Sequence, residues 1–242
     1  MRLGVAATAP LGADVLERLA RSHEIAFLLT RPDAPRGRGR KLAAPPAKEV
    51  AQRLGIPVHQ PEKPELPEGV ERVVVCAYGL YIPPRWRGAA PVERAILAGD
   101  DETGVTIHET IAELDAGPIA AHEAFPIGEL DAGGVFARAG ELAAELLERV
   151  LPAPTFTPQT EDGATYAEKI GPDDRRLDLD DPLDAWRRVR ALAPHIGAWT
   201  ELHGRRVTVW RARLDDGAFV PEIVQPEGRG RMGYDEFLRG VR

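Results

Sequence analysis

At 242 residues and 43% apolar content, the chain has room for one large domain or for a large and a small one, and it is not a disordered polymer. Its 31 basic and 38 acidic side chains leave a net charge of −7, which excludes a uniformly basic nucleic-acid glove but not local basic patches. No run approaches the roughly 18 apolar residues of a membrane span, and Met1 leads straight into a strand-like stretch without signal-peptide regions, so a cytoplasmic location is expected. Cys76 is the only cysteine, which removes disulfides and Cys-rich zinc sites, and no metal is expected. Ser22 is the only serine and has no Gly-X-Ser-X-Gly context, which removes a serine hydrolase elbow; asparagine is absent altogether.

Taken in chain order, residues 2–7 predict a buried strand, 13–21 a helix with Val15, Leu16 and Leu19 on one face, and 24–30 a second strand. A basic loop follows, then a helix at 46–54 and a short strand at 56–58. Val73-Val-Val-Cys-Ala77 is a continuous apolar run of the kind that fills the middle of a parallel sheet. A helix at 91–98, a strand at 103–108 and an apolar stretch at 118–125 lead to a long helix over 133–150. There Val135, Ala139, Leu142, Leu146 and Val150 keep the spacing of one buried face. Strands alternating with helices of about ten residues predict an α/β doubly wound core. Three prolines in residues 152–158 read as an interdomain linker. Beyond them a helix near 182–192 and β-like pieces at 198–202 and 206–210, separated by His203-Gly204, predict a small β-barrel.

Charge is concentrated twice. Residues 31–50 carry six basic side chains against two acidic ones, and Arg36, Arg38, Arg40 and Lys41 fall in one Gly-punctuated run. Residues 187–213 carry seven arginines, Arg187, Arg190, Arg205 and Arg206 among them, against Glu201 alone, with Trp199 and Trp210 interspersed. Each run by itself also reads as an ordinary solvated face. Two such patches in an acidic chain favour a polyanion held across both, because phosphate neutralisation dominates that kind of binding.

The chain further contains Pro84-Arg-Trp-Arg-Gly-Ala-Ala-Pro91, Ala95-Ile-Leu-Ala-Gly-Asp100, Glu102-Thr-Gly-Val-Thr106 and Leu114-Asp-Ala-Gly117. To these it adds Gln60-Pro-Glu-Lys63, Ala77-Tyr-Gly79, Pro158-Gln159, Ala164-Thr-Tyr-Ala-Glu-Lys-Ile170 and Gly197-Ala-Trp199. In this order the blocks resemble the methionyl-tRNA formyltransferase family. The resemblance implies an α/β fold with a Rossmann-like formyltransferase catalytic domain at 1–151, a linker at 152–158 and a small OB-like β-barrel tRNA-binding domain at 159–242. It implies a monomer away from membranes that takes 10-formyltetrahydrofolate as co-substrate and initiator methionyl-tRNA as partner, formylating the methionine amino group. Asp115 matches the family's catalytic aspartate; Leu80, Ile82, Pro84 and Leu114 are expected to line the folate. Arg36, Arg38, Arg40, Lys41, Arg187, Arg190, Arg205 and Arg206 are expected to meet tRNA.

The family's other catalytic pair, Asn-X-His on a strand, has no counterpart, because Gly79-Leu-Tyr-Ile-Pro83 runs directly into Pro84. A parallel crossover needs about ten or more residues, so the sheet is expected to lack one helix–strand unit. Losing a single oxyanion donor costs roughly 10²- to 10³-fold in rate. His108, seven residues before Asp115, is either an ordinary strand-end histidine or a substitute; His59 and His122 have no context that singles them out. Asp115 itself could be a turn-forming Asp in Asp-Ala-Gly. Three functions are therefore expected to compete: an impaired methionyl-tRNA formyltransferase, a catalytically silent tRNA binder, and a formyltransferase acting on an amino sugar nucleotide. The basic loop and the tRNA-type second domain argue against the third.

Overall fold

The computed structural model describes residues 1–36, 41–61, 69–78, 90–111, 115–160 and 167–240, the side chain of Arg36 excepted. The elements run β1 (Arg2–Ala7), α1 (Pro10–Leu19), β2 (Glu24–Leu29), β3 (Ala34–Arg36), β4 (Lys41–Ala43), α2 (Pro46–Leu54), β5 (Val58–His59) and β6 (Arg72–Cys76). They continue with α3 (Pro91–Ala98), β7 (Glu102–His108), β8 (Ile119–Pro126) and α4 (Ala132–Val150). A 3-10 turn (Asp173–Arg175) precedes α5 (Pro182–Leu192), β9 (Ala198–Leu202), β10 (Arg205–Asp215), β11 (Ala218–Pro226), β12 (Met232–Gly233) and α6 (Tyr234–Arg239). Four helices begin on or beside a proline, α1 at Pro10 among them. Proline fixes φ near the helical value and has no N–H to leave unpaired in the first turn, which sets the start of α1 three residues ahead of the apolar spacing.

Tertiary contacts divide the chain into two units, residues 1–85, 104–123 and 137–162 in one and 86–103, 124–136 and 163–242 in the other. In the first unit a parallel sheet has the order β5-β2-β1-β6. Leu3, Val5 and Ala7 of β1 face Val15, Leu16 and Leu19 of α1, together with Ala47, Ala51, Ala143 and Leu147. Ala6 faces the other way, into a cluster with Phe27, Leu29 and Tyr78. Both faces of β1 are therefore buried, as a parallel sheet requires. β6 occupies an end of the order rather than the middle that its apolar run predicts: among the described residues only β1 pairs with it, and Val75 is 42% exposed. β7 and β8 pair with each other, and Val105 and Ile107 of β7 pack on the core.

The second unit holds an antiparallel sheet in the order β12-β11-β10-β9. Two tight turns direct it. His203-Gly204 and Asp216-Gly217 both have positive φ at each residue, the two-residue geometry that matches the twist of flanking strands. Where an OB-like barrel is expected, the described residues form an antiparallel sheet, and no pairing between β9 and β12 closes it among them. Asp181 accepts a hydrogen bond from the Asp184 N–H and caps α5. Arg94 of α3 makes a two-pronged pair with Asp174 at 2.8 Å and also donates to the carbonyls of Glu168 and Lys169, fastening α3 to the chain around the 3-10 turn.

Candidate active site

Asp115 lies in the turn between β7 and β8 with φ +52, a left-handed backbone that Asp adopts more readily than most residues. Holding it there costs on the order of 1 kcal/mol or more, and the surroundings supply the restraint. Gln159 Nε2 donates to the carbonyls of Asp115 (3.0 Å) and Gly117. Gly117 is obligatory in this turn, because a Cβ there would overlap the Glu109 carbonyl. Thr157 and Ile119 exchange backbone hydrogen bonds at 2.9 and 2.7 Å, so the end of the stretch expected as a linker is stitched to β8 and delivers Gln159 to the turn.

The Asp115 carboxylate is open to solvent (54% exposed) and faces His108 at the end of β7, with Nε2 to Oδ1 at 3.9 Å. His108 is 27% exposed, and its Nδ1 lies 3.0 Å from the Glu109 carbonyl. His122 bonds to Thr106 at 3.0 Å, and His59 packs edge-on against Phe27. The structure thus singles out His108 among the three histidines weighed, and it adds Gln159, which sequence reasoning recorded only as part of a matching block. Spacing along the chain could not have signalled either contact, since both depend on how the β7–β8 turn is closed. Leu80, Ile82, Pro84 and Leu114, expected around the folate, lie outside the described residues, as do Arg38 and Arg40. Among the described residues no cluster of His, Cys, Asp or Glu has the arrangement of a metal site.

The two basic regions differ in structure. The first is a hairpin rather than a plain loop: β3 and β4 pair antiparallel, with Arg36 opposite Lys41, and Lys41 and Leu42 are exposed. In the second, Arg190 is a correction to the expected tRNA-binding set. It is only 9% exposed, its guanidinium lies over the Trp186 ring at 4.2 Å, and it donates to the carbonyls of Gly128 and Leu130. A guanidinium committed to backbone oxygens inside the fold is not offered to phosphate. Burial lowers its pKa, in keeping with that position. Arg187 lies against Gly99. Arg211 and Arg213 are paired with Glu222 and Asp215. Arg205 and Arg206 are exposed and have no carboxylate partner among the described residues, Arg206 lying flat over Trp199 at 4.0 Å. Arg231, outside the expected set, lies over Trp210 at 3.6 Å.

The family model described as formyl transferase matches residues 81–151, and that described as formyl transferase, C-terminal domain, matches residues 169–222. A methionyl-tRNA formyltransferase of Thiobacillus denitrificans (strain ATCC 25259 / T1) is 41% identical over 298 aligned positions, covering 99% of this chain and 96% of the relative. One from Cereibacter sphaeroides (strain ATCC 17025 / ATH 2.4.3) is 36% identical over 294 positions, covering 99% and 96%. The chain belongs to the methionyl-tRNA formyltransferase family, a family of enzymes. Against its 242 residues, the 294 aligned positions leave at least 52 without a counterpart in this chain. Among solved structures, HypX from Aquifex aeolicus in complex with tetrahydrofolic acid has the same fold, with a TM-score of 0.68 and 19% identity over 99% of this chain. This chain spans 47% of the HypX chain.

Proposed function

We propose that the chain transfers the formyl group of 10-formyltetrahydrofolate to the methionine amino group of initiator methionyl-tRNA, at a rate far below that of relatives with an Asn-X-His strand. The observation that carries this reading is Asp115 held in a left-handed turn by Gln159, its carboxylate open to an incoming amine. The tetrahydrofolic acid bound by HypX supports the folate co-substrate. The basic hairpin and the exposed Arg205 and Arg206 support tRNA as the amine carrier. On this reading residues 1–151 are the catalytic part and 159–242 the tRNA-binding part, with β9–β12 contributing to its barrel. The end position of β6 and the unmatched positions of the relatives support the loss of a helix–strand unit after β6.

The chemistry that remains is limited. An ionised carboxylate accepts a proton but donates none, so Asp115 can deprotonate an amine and cannot replace the missing oxyanion donors. Radiolabelled formyl transfer by the full chain is expected at least about a hundredfold below that of the Thiobacillus relative, and Asp115→Asn is expected to abolish it. Transfer at the relative's rate, or transfer untouched by Asp115→Asn, overturns the reading. The complete lack of asparagine favours a second one, a catalytically silent tRNA binder, which tRNA binding without any transfer would establish.

A further inference from the structure

We propose that His108 and Asp115 work as one proton-holding pair, in which Asp115 meets the attacking amine and His108 is the positioning residue that stores the proton Asp115 takes up. The proposal rests on the formyl-transfer reading and deepens it.

The contacts of the imidazole assign its protons. A backbone carbonyl can only accept, so the 3.0 Å contact between His108 Nδ1 and the Glu109 oxygen places a proton on Nδ1. In the neutral ring Nε2 then presents a lone pair, and two lone pairs facing each other would push the Asp115 carboxylate away. Nε2 nevertheless faces Asp115 Oδ1 at ion-pair distance, 3.9 Å. A single proton between them turns that contact from repulsive to attractive. The pair can therefore take up one proton and give it back, and contact at hydrogen-bond length needs about 1 Å of closure, as catalytic pairs without substrate commonly do.

The surroundings keep this proton local. Gly117 brings the turn backbone against Nδ1, since a Cβ built there lies 3.3 Å from that atom. Gln159 fixes the far side of the turn through carbonyls, without adding charge. Asp115 and the neighbouring Glu109, exposed at the strand end, are the acidic residues of the described turn, and His122 is occupied with Thr106. In the reaction, the amine nitrogen bonds to the formyl carbon while its proton passes to Asp115 and is shared with Nε2. The same proton then goes to the donor's departing nitrogen as that nitrogen's bond to the formyl carbon breaks, so the pair ends as it began. No oxidant or metal is consumed.

The test compares the full chain with His108→Gln, Asp115→Asn and the double variant in formyl transfer to methionyl-tRNA over a range of pH. Each single change is expected to lower the rate at least about tenfold, the double change no further, and His108→Gln to remove one limb of the pH–rate profile, which a merely structural histidine would not do. Transfer unchanged by His108→Gln but lost in Asp115→Asn overturns the pair and leaves the formyl-transfer reading standing. If the wild-type chain transfers no formyl group, that reading fails instead. The ¹⁵N imidazole spectra of the full chain then decide the pair: the His108 signals move on Asp115→Asn if it exists, and stationary signals overturn it.

Discussion

Glu93 lies in the first turn of α3, where burial raises its carboxyl above the ordinary 4.5 even though a backbone hydrogen bond, His195 and Arg94 all pull the other way. A raised carboxyl favours the protonated form in the folded chain, so the ionised form costs stability once pH rises through the folded value. Glu93→Gln removes that cost. Its expected effect is a thermal midpoint higher by roughly 1–2 °C at pH 7, fading as the pH approaches 4.5, where both states of the native side chain become protonated. A melting series from pH 4 to 8 checks it, and a gain independent of pH would assign the effect to packing. The same scale shows what sequence can and cannot reveal. Asp115 is legible because its chemistry sits in a contiguous Leu-Asp-Ala-Gly block. His108 and Gln159 meet it only through the closure of a turn, and Arg190 counts as a free cation in any tally of charge until the carbonyls of Gly128 and Leu130 are seen to claim it.

Among the elements, the β3–β4 hairpin carries the proposed contact with tRNA. Its paired ends are Arg36 and Lys41, and Arg38 and Arg40 stand between them in the sequence. Replacing Arg36, Arg38, Arg40 and Lys41 by Ala is expected to weaken initiator-tRNA binding and to reduce the slope of log affinity against log salt by about three. Binding measured from low to physiological salt checks this, and an unchanged slope would remove the hairpin from the interface. Most helices and parallel strands follow directly from apolar spacing, because their pattern is local. β11 does not, because Pro221 and Pro226 read as strand breakers. Both are accommodated in the sheet, Pro221 opposite Ala212 beside a register shift and Pro226 at the strand's last residue. The place of β6 is equally illegible, since an apolar run says that a strand is buried by its neighbours but not how many neighbours the chain still supplies.

At the scale of the whole molecule, the second contact unit is not the contiguous last third that the proline-rich stretch suggests. Residues 86–103 and 124–136 belong to it, through the pairing of Arg94 with Asp174 and the bonds from Arg190 to Gly128 and Leu130. A fragment beginning at Thr155 keeps Asp174 and Arg190 but loses Arg94 and both carbonyls. A buried guanidinium stripped of its acceptors costs about 1–3 kcal/mol or more, and the fragment is expected to unfold at markedly lower urea than the full chain, or without a cooperative transition. Coincident unfolding curves would show that the last third stands alone.

Trp186, Trp199 and Trp210 belong to this unit, and each has an arginine guanidinium 3.6–4.2 Å from its ring centre. Indole emission responds to a charge so close to the ring, and the three stacks differ in what can disturb them. Arg190 is locked inside, whereas Arg206 is exposed and free to swing toward a phosphate. On the tRNA reading, Trp186 is expected to give a steady background and Trp199 a signal that changes when a polyanion draws Arg206 off its ring, an optical gauge of RNA occupancy that needs no attached dye.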